Sequence, residues 1–169
     1  MVSAGESIMQ SGQLARALKR VSMQVIEDLK GNKDLLVLGL NSRGYHVAKI
    51  ISGHIAASLN AQIVCLPLEV IDESSSTDEW KRQLAAHSAV LLVDDVLFSG
   101  STMMKAVRMV LDHGNPSILR VAVVIDRGHR KYPVQPDFVG LVSPTKFLEH
   151  VEVAFNEHNI PENVVLTGR

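Results

Sequence analysis

The chain has 169 residues, 46% of them hydrophobic and 21% charged, with a formal net charge of −1. That length supports one domain with a sizeable core and no covalent staples, and the near-neutral balance excludes a global basic field for nucleic acid or an anionic membrane, leaving only local patches. The single cysteine, Cys65, the lack of any apolar run near the roughly 18 residues of a membrane span, and an opening "MVSAGESIMQ" without a signal pattern give the expectation of a cytoplasmic protein with no membrane partner.

Between Ser11 and Lys30, apolar Leu14, Ala17, Leu18, Val21, Val25, Ile26 and Leu29 recur at helical spacing, and Gly31-Asn32 ends this predicted helix. The apolar run "DLLVLGL" (34–40) has the pattern of a strand buried on both faces. A turn, "NSRG" (41–44), leads into a second helical pattern with Val47, Ala48, Ile51, Ile55 and Leu59, and then into strand-like "AQIVCLPL" (61–68). Residues 70–88 break the rhythm with an exposed serine loop and a short helix, for which Ser76 and Glu79 suit a capping box. A strand ending at Asp95, a helix from Ser101 to His113 and the strand "ILRVAVVID" (118–126) follow. The tail reads as two short strands separated by a proline turn, with Val151, Val153 and Phe155 alternating. No repeat or linker divides the chain, so a single domain is expected over residues 1–169.

The alternation of strand and helix predicts an α/β fold, a mostly parallel twisted sheet flanked by helices. Such sheets bind ligands outside the carboxyl ends of their strands. The stretches "NSRG", "ESSSTDEWKR", "DDVLFSGST" and "DRGHRKY" each follow a predicted strand and should therefore crowd one rim.

Ser99-Gly100-Ser101-Thr102 is a small-residue turn ahead of a helix, where inward N–H groups and hydroxyls suit a phosphate monoester. The same residues also suit a plain helix cap. Asp94 and Asp95, at the end of an apolar strand, need partners: sugar hydroxyls, Mg²⁺ held directly or through water, or a cation such as Arg127 or Lys105. A diol site a few residues from a phosphate site has the length of a ribose 5-phosphate. Arg127, His129, Arg130 and Lys131 fall within five positions and make either a phosphate patch or a solvated turn. A phosphoacceptor receiver is disfavoured, since its acidic pair follows the first strand.

"VLLVDDVLFSGST" (90–102) resembles the phosphoribosyl-diphosphate (PRPP) loop of type I phosphoribosyltransferases. "LLVLGLNSRGYHVAKIIS", "VAVVIDRGHRKYPVQPDFVGLVSPT" and the first helix, "LARALKRVSMQVIEDL", are similar to segments of the PyrR family of pyrimidine-operon attenuators and uracil phosphoribosyltransferases. The likeness covers nearly the whole chain outside residues 70–88. It implies the type I phosphoribosyltransferase fold with a small hood, to which Phe138 to Pro144 would contribute. Asp94 and Asp95 would take the ribose hydroxyls and hold Mg²⁺. Val96, Leu97, Phe98, Ser99, Gly100, Ser101 and Thr102 would form the loop around the 5-phosphate. Asn41-Ser42-Arg43-Gly44 would meet the leaving diphosphate, with Arg43 stabilising its charge and a cis peptide at Ser42–Arg43. Asp126 and Arg127 would border the base pocket. His129, Arg130 and Lys131, with Lys19 and Arg20, would form an RNA or phosphate patch. Phe98 stands where purine-using members commonly carry an aspartate, which argues against hypoxanthine or guanine and is neutral towards uracil.

The resemblance implies a Mg²⁺-dependent transferase joining uracil to PRPP, assembled as a homodimer or higher homo-oligomer. Residues 70–88 depart from the family's longer mobile hairpin and lack its aromatic-Arg-Asp triplet, although Lys81 and Arg82 could supply a cation and Trp80 an anchor. Met23 stands where the attenuators tend to be polar or basic. These departures keep open a non-catalytic regulator that senses PRPP or a nucleotide and acts through RNA or a protein partner.

Overall fold

The computed structural model describes residues 5–75, 77–146 and 148–168, so the capping box expected at Ser76 lies outside the described residues. The chain order is β1 (Glu6–Met9), α1 (Ser11–Asp28), β2 (Leu35–Leu40), α2 (Asn41–Leu59), β3 (Val64–Leu68), a 3-10 turn (Glu73–Ser75), α3 (Glu79–Ala86), β4 (Ala89–Leu97), α4 (Ser101–His113), β5 (Ile118–Asp126), β6 (Phe138–Val142), β7 (His150–Phe155) and β8 (Pro161–Thr167).

Five strands form the central sheet in the order β3-β2-β4-β5-β6, every neighbouring pair parallel. The continuous apolar runs follow from this placement, because successive side chains point to opposite faces and both faces are covered. Leu35 and Val37 pack with α1 and α2, as do Leu91 and Val93. Leu36 and Leu38 pack with Trp80, Leu84, Met103 and Val110 from α3 and α4, as do Val90 and Leu92. No helix of the described residues is long and apolar enough to cross a membrane.

A second sheet, antiparallel and three-stranded in the order β1-β8-β7, stands over α1 and the end of β4 as a hood. The hood expected from Phe138 to Pro144 is not made there. Phe138–Val142 is instead the parallel edge strand β6. Its apolar residues serve both layers, Phe138 packing on the α1–α2 side and Val139 on the α4 side, which suits a sheet covered twice. "NSRG" is also not a loop: α2 begins at Asn41 and takes these residues as its first turn.

Candidate active site

β4 is buried from Ala89 to Val93, so its polar residues begin at the rim of the sheet. The chain then turns through Phe98-Ser99-Gly100, and Gly100 takes φ 81°, a left-handed conformation suited to glycine, as the N-cap of α4. A glycine cap offers the helix no side-chain acceptor, and no side-chain hydrogen bond caps α4. The Ser99 and Ser101 hydroxyls lie 2.9 Å apart, and the Ser101 N–H donates to Ser99 Oγ at 3.3 Å. Asp94, Val96, Leu97, Phe98, Ser99, Gly100, Ser101, Thr102 and Met103 line one hollow of about 210 Å³. The start of a helix and an acidic residue thus line the same small space.

Asp95 is only 8% exposed and accepts from Arg43 Nε at 2.7 Å. The Asp95 N–H donates to Asp94 Oδ1 at 2.9 Å. Burial, and then the neighbouring Asp95 charge, push the Asp94 carboxyl well above the usual aspartate range, against the pull of Arg43. Such a pair is short of positive charge. Hard carboxylate oxygens with unmet negative charge fit Mg²⁺, which binds one or two carboxylates and completes its shell with water and phosphate. Among the described residues no group of three or more His, Cys, Asp or Glu could hold a metal by itself, so substrate and water would have to supply the remaining ligands.

The first turn of α2 reaches the acidic pair from the side. Asn41 makes the reversal at φ 52°, and the described peptide bonds include no cis bond, Ser42–Arg43 included. The cis peptide expected at Ser42–Arg43 is therefore absent, and the left-handed conformation at Asn41 is one that its short polar side chain tolerates. Asn41 Oδ1 accepts the N–H groups of Val70 and Ile71 at 2.9 and 3.2 Å. A Cβ on Gly44 would sit 2.7 Å from the Val93 carbonyl and 3.1 Å from Asp94 Oδ1, so only glycine lets this turn close on β4. Ser42 is exposed, with Oγ 3.4 Å from His46 Nε2. Burial, and then Lys49, lower the His46 pKa. Arg43 also donates to the Val153 carbonyl of β7 and lies 4.9 Å from the Phe155 ring centroid.

Beyond β5, the buried Arg127 stacks on Phe98 at 4.4 Å and donates to Thr145 Oγ1 at 3.2 Å and to the Glu149 carbonyl. The His129 ring lies 5.8 Å from that of Phe98 and is hydrogen-bonded to the Thr145 carbonyl. Asp126 Oδ1 accepts from Arg130 Nη2 at 2.7 Å and from the Gly128 N–H at 2.9 Å.

A family model described as phosphoribosyl transferase domain matches residues 4–158. The chain belongs to that family. Two curated relatives, each called bifunctional protein PyrR, place it in the PyrR group: those of Limosilactobacillus reuteri subsp. reuteri and Geobacter sulfurreducens are both 34% identical, over 94% and 96% of this chain and 96% and 97% of their own length. Solved structures with the same fold include a hypoxanthine-guanine phosphoribosyltransferase from Bacillus anthracis, with TM-score 0.72 and 16% identity over 99% of this chain and 100% of that one. Another is the hypoxanthine phosphoribosyltransferase of Trypanosoma cruzi in complex with IMP, with TM-score 0.71 and 18% identity over 96% of this chain and 91% of that one. At that identity they show the fold alone.

Within this phosphoribosyltransferase, the cations expected as alternative partners of the acidic pair are engaged elsewhere. Arg127 serves Thr145 and Glu149, and Lys105 holds the segment after β3, binding Glu73 at 2.9 Å and the Val70 carbonyl at 2.8 Å. Lys81 and Arg82 pair with Asp78 and Glu79 one turn away, while Trp80 is buried edge-on against His113 at 5.2 Å. Arg20 donates to the Val139 and Gly140 carbonyls of β6 at 3.2 and 2.6 Å. Lys19 instead lines a groove between α1, α2 and Ile160–Pro161. Lys131 remains exposed, 5.7 Å from the Tyr132 ring centroid. The sequence places Asn41 in the turn, Lys105 among the cations, and Val153 and Phe155 on an alternating strand, but not their contacts: Asn41 holding the Val70 and Ile71 amides, Lys105 holding the segment after β3, and the two hood residues meeting Arg43.

Proposed function

We propose that this phosphoribosyltransferase transfers the phosphoribosyl group of PRPP to uracil, giving UMP and pyrophosphate. The observation that carries this reading is the shared hollow of Asp94 and Ser99 to Thr102, with the Arg43 turn closed against it through Gly44. The loop amides and hydroxyls would take the 5-phosphate, and Asp94 and Asp95 the two ribose hydroxyls. Ser42, Arg43 and the exposed amides of the α2 start would take the diphosphate. As the C1–oxygen bond breaks, its electron pair leaves with pyrophosphate. The ring carbon then bonds to the uracil nitrogen, whose proton passes to solvent.

Arg43 would stabilise the charge gathering on the leaving group. Mg²⁺, held on the Asp94–Asp95 side, would supply further neutralisation of the diphosphate. Phe98 and Arg127 would border the base. A phenyl ring there accepts no proton from a purine nitrogen, which supports a pyrimidine.

Incubation with radiolabelled uracil, PRPP and Mg²⁺ tests the proposal. UMP formed well above an Asp95→Asn control is expected, and no UMP above that control contradicts it.

A second reading, a regulator sensing PRPP or a nucleotide and acting through pyrimidine-leader RNA, is favoured by residues 70–86. There Lys81 and Arg82 are spent on neighbouring carboxylates rather than presented to a ligand. Salt-sensitive, sequence-selective gel shifts with that RNA would support it, and absent or sequence-blind binding would contradict it.

A further inference from the structure

The turn after β5 holds a charged residue that neither ligand recognition nor the hood uses. Gly128 and His129 take φ 74° and 58°, two successive left-handed residues, and swing the Arg130 side chain back across the start of α4. Its guanidinium lies among four acceptors. Nε donates to the Val134 carbonyl at 2.8 Å, Nη1 to the Phe98 carbonyl at 2.8 Å and the Gly128 carbonyl at 3.2 Å, and Nη2 to Asp126 Oδ1 at 2.7 Å. The next two residues continue the contact, the N–H groups of Lys131 and Tyr132 donating to the Ser99 carbonyl at 2.8 and 3.1 Å.

We propose that Arg130 is a positioning residue that sets the amides of the Phe98–Ser101 turn for the 5-phosphate. The role rests on the reading of that turn given above. In a trans peptide the carbonyl of one residue and the N–H of the next point in opposite directions. Pinning the Phe98 carbonyl on Arg130 turns the Ser99 N–H away from the 128–134 segment. Pinning the Ser99 carbonyl on the Lys131 and Tyr132 amides does the same for the Gly100 N–H. Both donors are thereby turned from that segment before any ligand arrives, so binding need not reorganise them. Arg130 itself, 22% exposed, is consumed by backbone and by Asp126, and so acts through the loop rather than on the ligand. Only a planar, many-donor group serves these acceptors together; a lysine ammonium on a flexible stem does not. The same bonds withdraw Arg130 from the patch expected of His129, Arg130 and Lys131.

Calorimetric titration of the full chain and of Arg130→Lys and Arg130→Gln with two probes, ribose 5-phosphate and magnesium pyrophosphate, tests the role. Both variants are expected to weaken ribose 5-phosphate about tenfold and to leave pyrophosphate within about twofold. In turnover the change is expected in KM for PRPP more than in kcat. Wild-type binding of ribose 5-phosphate with unchanged binding by both variants would overturn the role of Arg130 alone. Equal loss of both probes would also overturn it, as a general structural effect, and so would an Arg130→Lys variant that binds as wild type. No binding of ribose 5-phosphate by the unmodified chain would instead overturn the reading of the loop, and this role with it. A measurement on the unmodified protein covers variants that fail to fold: the Arg130 Nε–H signal in NMR is expected to stay protected from exchange on saturation with ribose 5-phosphate. Its release to solvent contradicts the proposal.

Discussion

Arg43 and Asp95 meet at 2.7 Å across the gap between the start of α2 and the end of β4, and the same guanidinium reaches the Val153 carbonyl in the hood. One side chain therefore links an acidic residue of the site to the second sheet. Removing it leaves a carboxylate that is 8% exposed without this cation. Because the Arg43 side chain is 49% exposed, water offsets part of the loss. Arg43→Met is expected to lower stability by about 1 kcal/mol in urea denaturation. Amide exchange should quicken in β7 while the buried part of β4 stays unchanged. Unchanged exchange in β7 contradicts the link to the hood.

Asp94 gives a pH dependence with a definite sign. Its folded pKa lies well above the ordinary aspartate value, because burial and Asp95 disfavour the charge. The folded chain thus binds more protons than the unfolded chain between the two values. The stability this group contributes is complete below the unfolded pKa and is lost as pH rises through the folded one. Above the unfolded pKa, and so at neutral pH, burying this carboxyl beside Asp95 works against folding. Asp94→Asn is expected to raise Tm at pH 7, to lose that advantage as pH falls towards the ordinary aspartate range, and to cut UMP formation sharply. Tm curves of both proteins against pH check this, and a variant less stable than wild type at pH 7 contradicts it.

Two glycines of α2 should respond in opposite directions to the same change. A methyl at Gly44 meets the Val93 carbonyl at 2.7 Å, whereas nothing lies within 4 Å of one at Gly53. Gly44→Ala is expected to destabilise by about 1–3 kcal/mol through displaced backbone, with a large loss of activity. Gly53→Ala, in the helix interior, is expected to stabilise by about 0.5–1 kcal/mol with activity kept. Chemical denaturation and the uracil assay on the two variants measure both effects.

These results show which parts of the molecule the sequence carries locally. β5 and α4 fall on the expected residues, because "ILRVAVVID" is a continuous apolar run and Ser99-Gly100 marks the helix start. The loop proposed as the site was legible as a candidate for the same reason: it is one contiguous segment. The hood was not. β1 has four residues, and β8 begins at a proline; they pair with each other across almost the whole chain, Glu6 opposite Leu166. No periodicity within either strand reveals that pairing. Arg130 was equally hidden as to role, since a cation in a run of cations looks solvated until its four acceptors, from Phe98 to Val134, are brought around it.

The proposed role of Mg²⁺ beside Asp94 and Asp95 makes a prediction of its own. Chelation with EDTA is expected to abolish UMP formation, and added Mg²⁺ to restore it, while the apo fold keeps its Tm. Full activity in excess chelator contradicts a role for the ion.

The most direct test of the whole account is a crystal structure of the chain with UMP and Mg²⁺. The account predicts the phosphate in the hollow of about 210 Å³ against Ser99 to Thr102, with the ribose hydroxyls facing Asp94 and Asp95. A nucleotide bound elsewhere, with that hollow left to solvent, would contradict it.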